Sequence, residues 1–205
     1  MAFQEPTALR LTITIADIEP AIWRRVVVPR ALNFAQLHEV IQAAFDWTDS
    51  HLHHFIVGGL VIGAPEFDED GFNEYTTLEA TEIKLTDLLI RYDEKLRIRY
   101  EYDFGDSWRH EIEIEELAPA DTPAGPLPIC IAGARHRPPE DVGGPNGYFE
   151  FLEAWHDKTH VDHKALRRWV GRAFDPEKFD AAKATRDIAR ALKRCSGGYR
   201  FRLDP

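Results

Sequence analysis

The sequence predicts an α+β fold: an antiparallel sheet of mixed strand order with about five or six strands built from hairpins, one helix after the first hairpin, and a helical C-terminal third. Three observations carry this. Residues 8–18 and 96–115 alternate apolar and polar side chains with the period of two that a half-buried strand requires. Residues 33–46 switch to helical spacing. From about residue 147 onward the pattern is helical, with caps and glycine stops.

In the first hairpin, Leu9, Leu11, Ile13 and Ile15 share one face, and Pro20 interrupts the run. Residues 21–28 then form the partner strand, stopped by Pro29. Asn33 is placed to cap a helix, with Gln36 three residues on as in a capping box and Leu32 able to staple onto Leu37. Leu37, Val40, Ile41, Ala44 and Phe45 make its apolar stripe, and the helix is expected to end near Asp46. Residues 52–57 read as a strand before a Gly58-Gly59 hairpin turn, residues 64–80 as an acidic loop, and Leu85–Leu89 as one helical turn.

The hairpin over residues 96–115 is the best-determined local feature. Leu96, Ile98, Tyr100 and Tyr102 alternate with charged residues, as do Trp108, His110, Ile112 and Ile114. Pairing Arg99 with Glu111 also sets Arg97 against Glu113 and Glu101 against Arg109, so every polar pair has opposite charge. A slip of two residues would set Glu101 against Glu111. The favoured register makes Phe104-Gly105-Asp106 the turn and puts His110 on the apolar face opposite Tyr100. Residues 118–147, rich in Pro and Gly, read as a long irregular loop. Helices are expected near 147–157, 161–171 and 176–195, the last capped by Asp175 with Pro176 at its first position.

The length of 205 residues suits a single domain over 1–205: sheet and one helix (8–117), loop (118–147) and C-terminal helices (147–196). The N-terminus has no signal-like apolar run and no stretch approaches a membrane span, so no membrane partner is expected. Two cysteines, Cys130 and Cys195, are too few for a disulfide framework, which makes a cytoplasmic location the expectation. Charge is uneven. Residues 164–205 hold 12 Lys/Arg against 5 Asp/Glu, whereas residues 1–163 hold 13 against 30. The acidic body disfavours phosphate backbones, and nucleic acid could be met only by the basic C-terminal helices. Attraction between body and tail accounts for the same asymmetry.

Four segments carry a family resemblance: Ile22-Trp23-Arg24-Arg25-Val26; Trp47 to Phe55; Tyr102 to His110; and Pro138 to Tyr148. In this order they resemble the plasmid pRiA4b ORF-3-like family over roughly residues 8–180. That family is linked by name to plasmids and to passenger proteins of mobile insertion elements. The resemblance implies an α+β domain of unknown function. Many relatives carry cysteines near Cys130 and again around the Pro-Pro-Glu-Asp motif. Here the second stretch, Ala134 to Val142, has none.

The residues able to carry chemistry fall into a few groups. On a strand, His51 and His53 would share a face and could chelate a divalent transition metal, with His110, Asp103 or Asp106 completing the set. The alternative is a set of hydrogen-bonded histidines in or beside the core. Glu140 and Asp141, on a stiff Pro-rich loop before Gly143-Gly144, could bind metal, act as general base, or accept backbone amides. Asp103-Phe104-Gly105-Asp106 has the letters of a kinase motif without the rest of the kinase set, and Glu66 to Gly71 begins like an EF-hand loop but has Thr77 at position twelve. No nucleophile elbow, phosphate loop or dinucleotide motif is present. The leading expectation is therefore a binding or interaction module for a protein or small molecule, using Trp47, His53, Phe104, Trp108 and Tyr148. The alternatives are a metal-dependent hydrolase or nuclease-like enzyme drawing on His53, Asp106, His110, Glu140 and Asp141, and a nucleic-acid-associated regulator.

Overall fold

The computed structural model describes residues 7–64, 77–89, 96–171 and 173–195. Its strands are β1 (Ala8–Ile15), β2 (Trp23–Pro29), β3 (His53–Val57), β4 (Leu60–Gly63), β5 (Thr77–Glu79), β6 (Arg97–Tyr102), β7 (Trp108–Leu117) and β8 (Ile129–Ala134). Its helices are α1 (Phe34–Phe45), α2 (Leu85–Leu89), α3 (Gly144–His156), α4 (His163–Trp169) and α5 (Ala181–Cys195). The strands form one sheet in the order β5-β4-β3-β6-β7-β1-β2-β8.

The α+β class holds, but the predicted sheet is too small and too uniform. There are eight strands, not five or six, and the sheet is mixed because β4 and β5 run parallel. The 118–147 segment is not wholly irregular: it contains β8, which pairs antiparallel with β2, and the start of α3. The C-terminal third is only partly helical, with non-helical stretches at 157–162 and, apart from residue 172, 170–180. The last helix begins at Ala181, not Pro176. Asp175 instead closes a local turn on the amide of Glu177, and Asp180 accepts the amide of Lys183 at the real helix start. Most of the predicted acidic loop, residues 65–76, lies outside the described residues.

Local chemistry explains the elements that position the site. Asn33 accepts the Gln36 amide at 2.8 Å while the Gln36 side chain accepts the Asn33 amide at 3.1 Å, which completes the capping box. α1 ends where Asp46 turns left-handed, at φ 71°. β6 and β7 pair in the charge-matched register, Arg97–Glu113, Arg99–Glu111 and Glu101–Arg109, with Tyr100 opposite His110. One face of the sheet is apolar: Leu9, Leu11, Ile13, Phe55, Ile98, Tyr100, Tyr102, Trp108 and Ile112 are all at most 1% exposed. α1 belongs to the same core and packs on α5, which in turn packs on β8. The Lys183–Asp46 ion pair at 2.9 Å joins the basic end of the chain to the acidic body. Among the described residues no helix is long and apolar enough to cross a membrane.

Candidate functional site

Three of the four motif segments meet at one end of the sheet. The amide of Asp103 donates to Leu52 O at 2.9 Å, joining the β6–β7 turn to the segment before β3. Glu140 Oε1 accepts both the amide and the hydroxyl of Thr48 at 2.8 Å. Asp106 Oδ2 accepts the Gly143 amide at 3.0 Å. Arg137 lies over the Trp47 ring, 4.8 Å from its centroid, and donates to Asp46 O. The fourth segment supports this end from behind. Arg24 is 2% exposed, donates to the carbonyls of Trp23, Ala44 and Ala134, and is held between the rings of Phe45 and Phe179.

The histidines expected to act together are separated. His110 is fully buried. Its Nε2 accepts from Trp47 Nε1 at 3.2 Å and its Nδ1 donates to Trp108 O at 3.0 Å, so neither nitrogen has a lone pair to offer. Burial pushes its pKa down to about 4. His53 stacks on His38 with centroids 3.6 Å apart and planes 7° apart, and burial holds its pKa well below the ordinary value. Asp49 lies close enough to make these two a nominal metal group. In parallel stacked rings, however, the in-plane lone pairs run side by side, so one ion cannot lie in both ring planes. His38 has other work. Its Nε2 donates to Asp49 at 2.8 Å and its Nδ1 meets the Tyr100 hydroxyl at 2.9 Å. Gln42 closes the ring by donating to Tyr100 and accepting the Asp49 amide. This network fastens the 47–51 segment to α1. No motif in the sequence marks His38 or Gln42. Their four-residue spacing beside the apolar stripe of α1 is the local signal that they share a face.

His51 sits elsewhere. It precedes β3, in a bend, and its Nε2 faces Asp103 Oδ2 at 3.6 Å and Asp141 Oδ1 at 3.3 Å. Asp103 and Asp141 are both left-handed, at φ 59° and 55°, a conformation Asp tolerates better than most residues. Asp103 Oδ1 is held by the amides of Gly105 and Asp106. Of the aromatic candidates, Trp47, Trp108 and Tyr148 are buried, and Phe104 is exposed beside His54. Burial raises the pKa of Tyr148 and of Tyr102 to about 12.

Next to this convergence lies a cavity of about 590 Å³ between the end of α1, the 136–141 loop and the segments around α4 and α5. Phe45, Trp169, Phe174 and Phe179 give it apolar walls. Most of its charged groups are already engaged: Lys183 with Asp46 and Asp187, Arg137 near Glu140, and Asp141 with His51. Arg24 and Lys178 also line it, and among the described residues neither forms an ion pair with a carboxylate.

An eight-stranded mixed sheet backed by α1 and the C-terminal helices, with its loop motifs gathered at one end, defines an α+β domain with a cavity beside that end. The chain belongs to the plasmid pRiA4b ORF-3-like protein family, which matches residues 7–183. It is 40% identical over 166 residues to the uncharacterized protein y4hQ of Sinorhizobium fredii (strain NBRC 101917 / NGR234), covering 80% of this chain and 81% of that one. It is also similar to the crystal structure of the protein of unknown function MM3350 from Methanosarcina mazei Go1. That likeness has a TM-score of 0.74 and 36% identity, and covers 88% of this chain and 97% of the other.

Proposed function

We propose that the chain is a binding module for a small organic anion with an apolar or aromatic body, held in the cavity between α1, the 136–141 loop and the C-terminal segments. The observation that carries this is the combination of aromatic walls with two cations, Arg24 and Lys178, that line the cavity and make no contact ion pair with a carboxylate among the described residues. Arg24 is 2% exposed and burial lowers its pKa to about 10, with Asp46 offsetting part of that, so an anion brought against it would stabilise its charge, and the exposed Lys178 would add attraction. The volume of about 590 Å³ falls within the range of small-molecule sites. The aromatic walls supply apolar area, and Arg24 and Lys178 supply orientation. The buried Trp47 and the Glu140–Thr48 bonds act as the frame that holds the 136–141 wall in place.

The test uses anilinonaphthalene sulfonate, an aromatic anion whose fluorescence rises on desolvation. One saturable site is expected, competed by aromatic carboxylates and weakened several-fold in Lys178→Ala, whose side chain is not part of the core. Equal dye affinity in Lys178→Ala and Lys178→Glu, with unchanged melting temperatures, would remove the basis for the proposal.

A further inference from the structure

We propose that His51, Asp103 and Asp141 form a site for one divalent transition-metal ion of the zinc type. The proposal does not rest on the cavity reading, although Asp141 also lines that cavity.

The geometry points to an ion between these groups. His51 Nε2 is shielded from solvent yet makes no hydrogen bond. Its separations from Asp103 Oδ2 and Asp141 Oδ1, 3.6 and 3.3 Å, are too long for charge-assisted hydrogen bonds, which run about 2.7–2.9 Å. They match the edge of a tetrahedron drawn around zinc, about 3.4 Å for metal–ligand bonds of about 2.0–2.1 Å. All three ligand atoms lie within 4.8 Å of one another.

The support around the ligands is also that of a coordination site. Asp103 spends Oδ1 on two backbone amides, which fixes its rotamer and leaves Oδ2 directed at His51. The β6–β7 turn itself is tied to Leu52, next to His51, by the Asp103 amide. Asp141 comes from the far loop, with a side chain 72% exposed, and can complete the set by a small movement.

Ligand chemistry selects the metal class. One imidazole and two carboxylates suit zinc or manganese better than magnesium or calcium, which favour sites made only of oxygen. Two carboxylates balance the charge of a divalent ion. Three protein ligands leave a fourth position for water or for a group brought in from solution.

The test is titration of zinc into the full chain, purified without a histidine tag and stripped with chelator, followed by calorimetry and thermal melts. Cobalt(II) serves as the spectroscopic probe. One zinc per chain is expected, with a raised melting temperature and a visible cobalt spectrum of low coordination number. Asp141→Asn should weaken binding by about tenfold or more and abolish the cobalt signal, and Asp103→Asn should do the same. Asn tolerates the left-handed backbone at both positions, and the exposed Asp141 decides the matter if the Asp103 variant fails to fold. His160→Gln, which alters an exposed histidine 3.9 Å from Asp162, should leave binding intact, as should Lys178→Ala. No saturable zinc binding, or equal affinity in Asp141→Asn, overturns the proposal. The three side chains would then be a structural cluster that joins the two loops.

Discussion

The indole nitrogen of Trp47 donates to Nε2 of His110 across 3.2 Å, beneath the sheet, where His110 has no exposure at all. That bond fixes the neutral tautomer, because Nε2 can accept only while the proton resides on Nδ1.

Stability should therefore fall with acid before the carboxylates titrate. His110 has its pKa pushed to about 4 in the folded chain, against about 6.5 when unfolded. Between those values the unfolded chain binds the proton and the folded chain does not. The contribution is thus full above about pH 6.5 and is lost as pH falls toward 4. The buried His53 shifts in the same direction. Unfolding free energies from urea titrations between about pH 7 and about pH 5 should drop at a rate approaching 1.4 kcal/mol per pH unit for each such histidine. His110→Gln should show a shallower slope, and an unchanged slope would contradict the assignment.

Trp47→Phe keeps most of the ring and removes the donor. It should cost about 1–3 kcal/mol, because His110 Nε2 is left buried and unsatisfied. Trp47→Ala, which also removes the packing on Tyr102 and Trp108, should cost about 3–5 kcal/mol. Chemical denaturation of the two variants separates the hydrogen bond from the ring.

Two glycines should respond differently to alanine. Gly144 has φ 68°, and a Cβ there would stand 2.6 Å from Asp106 O. Gly59 has φ 86° with nothing within 4 Å. Gly59→Ala should cost about 1 kcal/mol in backbone strain alone. Gly144→Ala should cost clearly more and loosen the Gly143–Asp106 bond, which amide exchange at Gly143 would report.

Asn33→Ala should lower stability by about 1 kcal/mol through loss of the α1 cap. Asn33→Asp should recover part of it, because the Gln36 amide only needs an acceptor while the Asn33 donor to Thr81 O is lost. Denaturant midpoints of the pair provide the check.

The parts of the fold that could be read from sequence are those whose information is local. The β6–β7 register follows from the alternating Arg and Glu residues, and the start of α1 from Asn33 and Gln36. β5 has three residues and is specified by its parallel pairing with β4, a partner no local pattern reveals. β8 is an edge strand with a glycine at 133 and a register break opposite Arg25 and Val26, so its alternation is blurred. Gly133 is there because a Cβ would strike the Phe179 ring and Trp23 O. At the site, a strand period of two would set His51 and His53 on one face. β3 begins only at His53, after a left-handed Asp49, so the period does not extend back to His51. Asp103 and Asp141 are named easily enough as carboxylates, but their approach to His51 depends on two loops meeting across the sheet end, which only the tertiary structure supplies.

The seam between β1 and β7 has a consequence for how the chain is made. Leu11 pairs with Ile114 and Ala8 with Leu117, so the middle of the sheet closes over about a hundred intervening residues. During synthesis the β1–β2 hairpin emerges early, and its inner edge waits without a partner until residue 117 has left the ribosome. A chain stalled before that point would present Leu9, Leu11 and Ile13 beside an open strand edge, the combination that recruits holdase chaperones or a second nascent chain. The β6–β7 hairpin, with its strongly self-selecting charges, is therefore the piece whose arrival ends the vulnerable interval.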